Sequence, residues 1–552
     1  MNFSSNSLEP RFTKKIFLSI LLIAFLLRIW GVQFGLPYPY HPDEVKYVLM
    51  ALKMGHFGLN PHYFINPSVF TYILFILYGC YYVVGHLAGH FQSTLGFIQT
   101  FVTQPTSFYL IARLVTVFFS LLTIVIVYRI GKTLFDESTG LISSFLLSIV
   151  FIYVRDSHYG VPDITMICFL MIAYYFLVKC TLEGKMKHVY LAGFFIGLAC
   201  ATKYTAVFLF PIYILVLYRC KSKFNKNNII YIMIKSSVIS GFGFLIGCPY
   251  ALIDFHSFWS DIHQLAFFGH TGWFGINTTQ NGYVYYLDCL RWGIGWPLLI
   301  LCLVSIIHIL CNKRELSLLL LGYPLLYYIY MGSARLQFER FTLPLIPFLV
   351  IIVSCFIGDL KVRYGYSINR IISLVLIIGL IPMIYSVRSD YLLTKTDTRT
   401  LALNWINSHI PSGSKIALDG YGPMIYKAHP KLIEFTKHMT RKLKYNVHYL
   451  GRFGLGLYSL HDYQIQHFQY LISSNFTYER YFAQSRPYPK EVTFYKDLDS
   501  KTRLIKTFSP YKDNENPPFR LSNILGPSEY LFQLERPGPL LKIYAIDTLK
   551  TR

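Results

Sequence analysis

The chain has 552 residues, of which 54% are hydrophobic and 14% are charged, and its formal net charge is +23. Soluble domains have roughly 25% charged residues, so this composition excludes a simple soluble protein and favours a polytopic membrane protein. The basic excess fits cytoplasmic loops and anionic headgroups, and no basic tract with interleaved aromatic residues supports nucleic-acid binding. The ten cysteines lie between Cys80 and Cys355 without a CxxC pair, so no disulfide holds the C-terminal part and no cysteine metal pair is indicated.

The first apolar segment, Ile16–Leu36, follows three basic residues and lacks a small-residue cleavage site. These features predict a signal anchor with its N-terminus in the cytoplasm and the loop Pro37–Asn66 outside. That loop contains His41-Pro42-Asp43-Glu44, where two adjacent carboxylates lie at a membrane boundary. Acidic side chains so close to a bilayer usually face water or a cavity and have a function. The alternative is a solvated loop without a function.

Basic clusters mark further cytoplasmic loops, and the apolar segments between them predict about eleven membrane-spanning helices. Val189–Tyr218 lies between two such clusters, so it must cross twice, with an outward turn near Lys203. The parity of the count predicts that Pro67–Leu87 packs beside the bundle from the outer side without crossing. The alternative is that Pro67–Leu87 and Tyr109–Ile130 both span and that the basic marker at Lys132 is misleading.

The strongly apolar pattern ends near residue 388. We therefore expect a transmembrane catalytic domain with outer loops over 1–388 and an extracytoplasmic α/β domain over 389–552. Thr398–His409 predicts a short amphipathic helix. Four segments predict strands: Lys415–Leu418, Leu432–Phe435, Tyr470–Ser473 and Leu541–Ala545. The expected fold class is an α-helical polytopic membrane protein with a C-terminal α/β soluble domain, whose basic character suits a membrane surface or phosphorylated lipids.

Ionisable side chains recur in the predicted outer loops. They are His41, Asp43, Glu44, Arg155, Asp156, His158, Asp163, Lys203, Arg335 and Arg340. Carboxylates and cations thus converge on one face of the membrane. Such a pattern fits a site that removes a proton with one group and holds a phosphate with others.

Several of these residues also have a structural interpretation. Lys203 can snorkel from a helix end. Arg335 and Arg340 can pair with Glu339 and only shape their loop. Asp163, which follows a proline, can cap its helix. The loop histidines lack HxxxH or HExxH spacing, so the sequence predicts no required metal, and a divalent metal has no support from the motifs.

Four motifs occur in a characteristic order along the chain. They are His41-Pro42-Asp43-Glu44; Arg155, His158 and Asp163; Gly197-Leu198-Ala199 through Lys203; and Arg340-Phe341 with Pro344 and Pro347. Together they resemble the GT-C glycosyltransferases of the protein O-mannosyltransferase and lipid A aminoarabinose transferase superfamily. In the tail, Asp397-Thr398-Arg399 and Asp419-Gly420-Tyr421-Gly422-Pro423 resemble bacterial-type members. The resemblance covers nearly the whole chain and implies a GT-C-like bundle.

The resemblance also implies a role for each matching residue. Asp43 would be the general base, and Glu44 would orient the acceptor. Asp163 would be the second acidic residue. Lys203 and Arg340 would hold the lipid phosphate. Arg335 would help them, and the supporting residues would be His41, Arg155, Asp156 and His158.

The function implied is inverting transfer of a hexosyl or pentosyl group from a polyprenyl- or dolichyl-phosphate donor to an acceptor hydroxyl. The acceptor would be a protein, lipid or glycan. The expected location is the bacterial inner membrane, with the active site on the extracytoplasmic side. The alternative is a transporter or flippase of a lipid-linked substrate, but the charges lie in loops and no Gly/Pro-broken pair of helices stands out. A third hypothesis, a noncatalytic assembly protein, predicts no dependence on Asp43.

Overall fold

The computed structural model describes residues 10–224, 229–276, 280–425, 444–512, 515 and 517–546. The part before the C-terminal domain is helical. Its helices are α1 (Pro10–Ile29), α2 (Pro42–Phe57), α3 (Val69–Leu87), α4 (Thr94–Thr103), α5 (Thr106–Leu134), α6 (Glu137–Ile149), α7 (Phe151–Asp156), α8 (Pro162–Glu183), α9 (Met186–Cys200), α10 (Leu209–Arg219), α11 (Ile229–Gly247), α12 (Tyr250–Ile253), α13 (Phe255–Thr271), α14 (Gly282–Ile294), α15 (Trp296–Asn312), α16 (Arg314–Ser333), α17 (Ile346–Tyr364) and α18 (Ile368–Leu393).

In the described part of the chain, seven helical segments are long and apolar enough to cross a membrane. They are Val69–Leu87, Thr106–Leu134, Pro162–Glu183, Ile229–Gly247, Arg314–Ser333, Glu339–Arg363 and Ile368–His409. The predicted number of about eleven is larger for two physical reasons. α1 carries charged residues near both ends. α6, α9 and α10 are shorter than the roughly 20 residues that span a hydrocarbon core.

α14 and α15 together are long and apolar enough to form an eighth span, but they are bent by 119° where they meet. The break falls at Gly295, whose φ of +84° is a conformation that favours glycine. The sequence pattern does not indicate this break. Transporters built from inverted repeats have such breaks in corresponding positions of both halves. No second bent pair occurs in the described ranges.

The predicted turn at Lys203 is confirmed. α9 ends at Cys200, and a short 3-10 helix, Tyr204–Phe208, leads into α10. Between them the amide of Lys203 donates a hydrogen bond to the carbonyl of Ala199 at 2.9 Å. The apolar segment therefore folds into two short arms, and Lys203 lies where they meet.

α3 has the length and composition of a span, so its hydropathy does not favour the prediction that it stays outside. Its contacts include the start of α5. The hydroxyl of Tyr78 donates to the carbonyl of Phe108 at 3.0 Å, and the rings of Tyr81 and Phe97 lie 5.6 and 5.0 Å from the Phe108 ring. Because Phe108 is in the first turn of α5, the second half of α3 is held at the start of α5. Whether α3 crosses stays a prediction.

The C-terminal domain is built around a five-stranded sheet with strand order β2-β1-β3-β5-β4. β1 pairs in parallel with β2 and β3, whereas β5 pairs antiparallel with β3 and β4. The elements are α19 (Thr398–His409), β1 (Lys415–Leu418), β2 (Asn446–Tyr449), α20 (Leu460–Ile465), β3 (Tyr470–Ser474), α21 (Asn475–Ala483), α22 (Pro489–Lys501), β4 (Arg503–Phe508) and β5 (Leu541–Ala545). The predicted α/β fold class is confirmed.

The predictions for α19, β1, β3 and β5 are confirmed to within one residue. The predicted strand Leu432–Phe435 lies outside the described residues. The sequence pattern does not indicate β2 and β4. Both are edge strands with mostly exposed side chains, so they lack the apolar alternation that identifies a strand. The predicted domain boundary at 388 stays a prediction, and α18 continues to Leu393.

The C-terminal domain is fastened to the helical part by hydrogen bonds to backbone carbonyls. The guanidinium of Arg388, in α18, donates to Leu531 and Leu534 at 3.2 and 2.5 Å. From the domain, Arg480 donates to the carbonyl of Phe274, in the segment after α13, at 2.7 Å. These bonds place one face of the domain against the loops that contain the predicted site.

Candidate active site

Asp43 lies in the first turn of α2, after Pro42 at the first helical position. Proline suits this position because no intrahelical partner is needed there, and the helix dipole favours a carboxylate. An Oδ2 atom of Asp43 accepts a hydrogen bond from Nη1 of Arg340 at 2.5 Å, and 32% of the Asp43 side chain is exposed. Burial disfavours the charged carboxylate, but Arg340, His41 and Lys46 together outweigh this effect, with Arg340 contributing most, so the pKa of Asp43 lies well below its usual value.

Glu44 has a different position from the one implied by the resemblance. Successive helical residues point about 100° apart, so Glu44 turns away from Asp43. Its fully buried carboxylate receives two 2.8 Å hydrogen bonds from the guanidinium of Arg113 and a third from the amide of Gly160. Arg113 also donates to two backbone carbonyls. Glu44 therefore joins α2 to α5 and to the loop before α8, and its role toward the acceptor stays a prediction.

Asp163 and Lys203 form the second carboxylate–cation pair near Asp43. Asp163 lies in the first turn of α8, and its Oδ1 accepts a hydrogen bond from Nζ of Lys203 at 2.5 Å. The Lys203 amine also lies 5.2 Å from the ring of Phe341. Lys203 therefore does not snorkel away from the site. Asp163 is 5% exposed and holds the amine in place.

The remaining predicted residues of the second loop are structural. Arg155 pairs with Asp156 at 2.6 Å and with Glu339 at 2.5 Å, and its guanidinium is fully buried. His158 is also fully buried, and its ring nitrogens lie 3.0 Å from the carbonyls of Val154 and Trp30. The structure shows no contact from Arg155 or His158 to Asp163, so the expected direct support is not found. This network instead joins α7 to the 3-10 helix Glu339–Leu345.

His41 and Arg335 make contacts outside the Asp43–Arg340 pair. The ring of His41 stacks on Tyr159 with centroids 4.5 Å apart, and the side chain is 4% exposed. Arg335 is exposed, and its backbone amide donates to the carbonyl of Gly269. Glu339 pairs with Arg155, so the alternative that Glu339 pairs with Arg335 or Arg340 is wrong.

Asp43, Lys203 and Arg340 line one cavity of about 540 Å³. Its wall also has many aromatic and apolar side chains: Tyr47, Tyr63, Ile65, Tyr204, Val207, Phe208, Leu265, Phe268, Trp273, Tyr327, Tyr330, Met331, Leu336, Phe338, Phe341, Leu521, Ile524 and Leu525. Three of the ten predicted site residues thus share a single space. A space of this kind binds a large, mostly apolar ligand that carries a few polar groups.

The charged residues Lys46, Arg452 and Arg480 and the residue Tyr421 also line this cavity and were not predicted as site residues. Lys46 is one helical turn after Asp43, and its amine lies 3.3 Å from the centroid of the Tyr63 ring. Tyr421, Arg452 and Arg480 come from the C-terminal domain. Lys46 is three residues after Asp43, and this spacing on a helix indicates that the two side chains lie on the same face. The other three depend on how the domain docks, which no local pattern indicates.

No group of three or more His, Cys, Asp or Glu residues that could hold a metal ion occurs among the described residues. His62 instead pairs with Asp254 at 3.1 Å. The expectation that no metal is required stays a prediction.

Comparisons with known proteins agree with this architecture. Residues 95–242 match the family model of dolichyl-phosphate-mannose-protein mannosyltransferase. A comparison with curated proteins finds no match. The apo crystal structure of the Archaeoglobus fulgidus oligosaccharyltransferase is similar with a TM-score of 0.53 and 13% identity over 97% of this chain and 76% of that chain.

Two further solved structures are similar. AglB from the same archaeon, in complex with an inhibitory peptide and a dolichol-phosphate, has a TM-score of 0.52 and 12% identity over 90% of this chain and 73% of that one. ArnT from Cupriavidus metallidurans bound to undecaprenyl phosphate has a TM-score of 0.47 and 12% identity over 86% and 94%.

The fold is therefore that of the GT-C glycosyltransferases, and the resemblance predicted from the sequence motifs is confirmed. With its long apolar helices, the chain is an integral membrane protein.

Proposed function

We propose that this protein is a membrane glycosyltransferase that moves a sugar from a polyprenyl- or dolichyl-phosphate donor to an acceptor hydroxyl. Transfer takes place at the outer face of the membrane and inverts the anomeric carbon. The observation that carries the proposal is the convergence of Asp43, Lys203 and Arg340 on one cavity with a largely aromatic and apolar wall. The match to a dolichyl-phosphate-mannose-protein mannosyltransferase family model supports this donor class.

Lys203 and Arg340 bind the phosphate of the donor. When the glycosidic C–O bond breaks, the phosphate oxygen keeps the electron pair and its negative charge increases. Fixed cations in a cavity with little water stabilise that charge as it develops. Asp163 keeps the Lys203 amine in position through their 2.5 Å hydrogen bond.

Asp43 acts as the general base. The acceptor oxygen forms a bond to the anomeric carbon from the side opposite the phosphate, which inverts the configuration. The proton of the acceptor hydroxyl passes to the carboxylate of Asp43. A carboxylate placed in this way contributes roughly 10²–10⁴ in rate.

The Arg340–Asp43 pair links donor binding to the strength of the base. While Arg340 contacts the carboxylate, the pKa of Asp43 is low and the carboxylate is a weak base. A donor phosphate gives Arg340 a second anionic partner, which weakens its hold on Asp43. The pKa of Asp43 then rises toward its usual value, and the base is strengthened only when the donor is present.

The test is Asp43→Asn in protein purified and reconstituted in liposomes. The assay measures binding of undecaprenyl phosphate and, with labelled lipid extract from the source cells, sugar transfer and release of lipid phosphate. The variant keeps the size and polarity of the side chain, so we expect unchanged folding, retained binding and a loss of transfer of roughly 10²–10⁴. Asp254→Asn, at the cap of α13, is the matched control and should transfer normally.

Transfer by Asp43→Asn at close to the wild-type rate would mean that the base lies elsewhere, with Asp163 the next candidate. Loss of binding together with transfer would make Asp43 a binding residue. Either result contradicts the proposed mechanism.

A further inference from the structure

The C-terminal domain closes one side of the cavity with Tyr421, Arg452 and Arg480, which we call the C-terminal wall. Arg480 is 1% exposed and donates two hydrogen bonds to the carbonyl of Phe274, so it builds the wall. Arg452 is exposed. Its guanidinium lies 4.9 Å from the ring centroids of Trp273 and Phe453, and no carboxylate lies within ion-pair distance among the described residues.

Tyr421 has an unusual backbone conformation. Its φ of +60° lies in the left-handed region, which a bulky residue rarely adopts. The preceding residues are held firmly: the carboxylate of Asp419 accepts hydrogen bonds from the amides of Leu455 and Ser474 at 2.7 and 2.8 Å, and Thr477 donates to the carbonyl of Gly420. Strained residues that the surroundings hold in place are concentrated at functional sites.

The loops that carry Tyr421 and Arg452 are packed against each other. A Cβ added to Gly420 would lie 2.4 Å from the carbonyl oxygen of Gly451, so the two backbones are in direct contact. The amide of Leu450 also donates to the carbonyl of Leu418 at 3.1 Å. The two side chains are therefore presented to the cavity as one rigid unit.

The charges that line the cavity do not balance. Among the described residues that line it, five are cationic and one, Asp43, is a carboxylate. The five are Lys46, Lys203, Arg340, Arg452 and Arg480. Lys203 lies between α9 and α10, and Arg340 lies in the 3-10 helix before α17. Arg452 lies on the soluble domain, beside aromatic rings. Lys203 pairs with Asp163 and Arg340 pairs with Asp43, whereas Arg452 forms no ion pair among the described residues. A donor phosphate bound by Lys203 and Arg340 therefore leaves Arg452 without an anionic partner.

We infer that Tyr421 and Arg452 form the acceptor subsite and that the acceptor carries an anionic group, a phosphate or a carboxylate, on a sugar. This inference rests on the proposed glycosyltransferase function, because it assigns the second substrate of the same cavity. The guanidinium binds the anionic group through paired hydrogen bonds. The Tyr421 ring packs against the sugar. The acceptor hydroxyl is thereby directed toward Asp43.

The test uses the full-length protein in detergent and isothermal titration calorimetry with four probes: glucose, glucose 6-phosphate, glucuronate and undecaprenyl phosphate. We expect at least one sugar anion to bind more tightly than glucose. Arg452→Gln should weaken that binding roughly tenfold to a hundredfold, as for a lost hydrogen bond to a charged group. Arg452→Lys should be intermediate, since it keeps the charge but not the planar fork. Undecaprenyl phosphate should bind all three proteins equally.

Two more variants complete the design. Tyr421→Asn removes the ring, and asparagine tolerates a positive φ. The variant should therefore weaken binding of the sugar anion without unfolding the loop. Arg486→Gln is the matched control, because Arg486 is an exposed arginine of the same domain that does not line the cavity. It should bind every probe like the wild type.

The inference is overturned if the wild type binds neither sugar anion better than glucose, or if Arg452→Gln binds them as well as the wild type. It is also overturned if Arg452→Gln weakens the binding of undecaprenyl phosphate as much as the binding of the sugar anion, because Arg452 would then belong to the donor site. A wild type that fails to bind undecaprenyl phosphate contradicts the proposed function instead, which separates the two failures.

Discussion

Asp43 and Glu44 are neighbours in sequence, and each pairs with an arginine, but in different surroundings. The Asp43–Arg340 pair lines the cavity, with 32% of the carboxylate side chain exposed. The Glu44–Arg113 pair is fully buried, and the carboxylate receives three hydrogen bonds. One helical step of about 100° thus separates a group that a substrate can reach from a group that holds helices together. Residue type and sequence position do not distinguish these roles, but access to the cavity does.

Glu44→Gln is the strongest test of the difference between the Asp43–Arg340 and Glu44–Arg113 pairs. Removing one charge from a fully buried pair leaves Arg113 without its counter-charge, at a cost of about 3–5 kcal/mol in unfolding free energy. We expect a much lower melting temperature in detergent. The paired replacement Glu44→Leu with Arg113→Met should recover much of the loss, since it removes both charges.

The rate of transfer per folded molecule provides the control for this variant. Glu44→Gln should transfer sugar at near the wild-type rate once the folded fraction is corrected for. A stable Glu44→Gln protein without transfer would return Glu44 to the chemistry and remove the distinction between the two pairs.

The second prediction concerns the cations of the cavity. A single preorganised donor at a developing charge is typically worth about 10²–10³ in rate. Lys203→Gln and Arg340→Gln should each reduce turnover per folded molecule by about this factor. Arg340→Gln should change the melting temperature little, because Asp43 is partly exposed, whereas Lys203→Gln should lower it, because the buried carboxylate of Asp163 loses its counter-charge. Arg335→Gln is the matched control, because Arg335 is an exposed arginine close in sequence that does not line the cavity. Wild-type turnover in both cavity variants would exclude the proposed phosphate site.

The third prediction separates the free protein from the donor complex by pH. Transfer requires ionised Asp43, so the rate rises as pH increases through the pKa of this group. Because Arg340 lowers that pKa in the free protein, the acid limb of kcat/KM should lie at low pH. In the donor complex the phosphate competes for Arg340, so the acid limb of kcat should lie at higher pH. Coincident limbs would contradict the link between donor binding and base strength.

The smallest effect is expected at Asp419, a buried carboxyl without a cation. Burial raises its pKa to about 7, although hydrogen bonds from Leu455, Ser474 and Tyr495 favour the charged form. The folded state therefore holds its proton more tightly than the unfolded chain, where Asp titrates near 3.9. This contribution to stability is fully present below about pH 4 and is lost as pH rises to about 7.

Hydrogen exchange of β1 measures this effect locally. Exchange in β1 should become faster between pH 4 and 7, after correction for the intrinsic pH dependence of exchange. In Asp419→Asn this additional acceleration should disappear. The exposed Asp497, which pairs with Lys501, supplies the control variant Asp497→Asn. An unchanged profile in Asp419→Asn would show that the carboxyl is ionised throughout this range.

The sequence predicts well those features that depend on local pattern. The helix Thr398–His409 and the strand Lys415–Leu418 are marked by capping and apolar alternation and lie where expected. The turn at Lys203 follows from basic clusters on both sides of one long apolar segment. The resemblance based on the order of the four motifs predicted that Asp43, Lys203 and Arg340 belong to one site.

The sequence does not predict which ionisable residues meet. Glu44 pairs with Arg113, a residue in the middle of an apolar segment, 69 positions away. The contribution of Arg452 to the cavity depends on how the C-terminal domain docks. Counting spans from hydropathy also gives too many where helices are short, as at α9 and α10, whose lengths are below the roughly 20 residues that cross a hydrocarbon core.

The place of β5 in the sheet has a consequence for biosynthesis. β5 is formed by residues 541–545 and lies between β3 and β4, so it supplies hydrogen bonds to both. The sheet that supports Tyr421 and Arg452 therefore cannot be completed until more than 540 residues have left the ribosome. The helical part can insert and pack long before that point. A nascent chain thus passes through a stage in which Asp43, Lys203 and Arg340 can come together while one side of the cavity is still open.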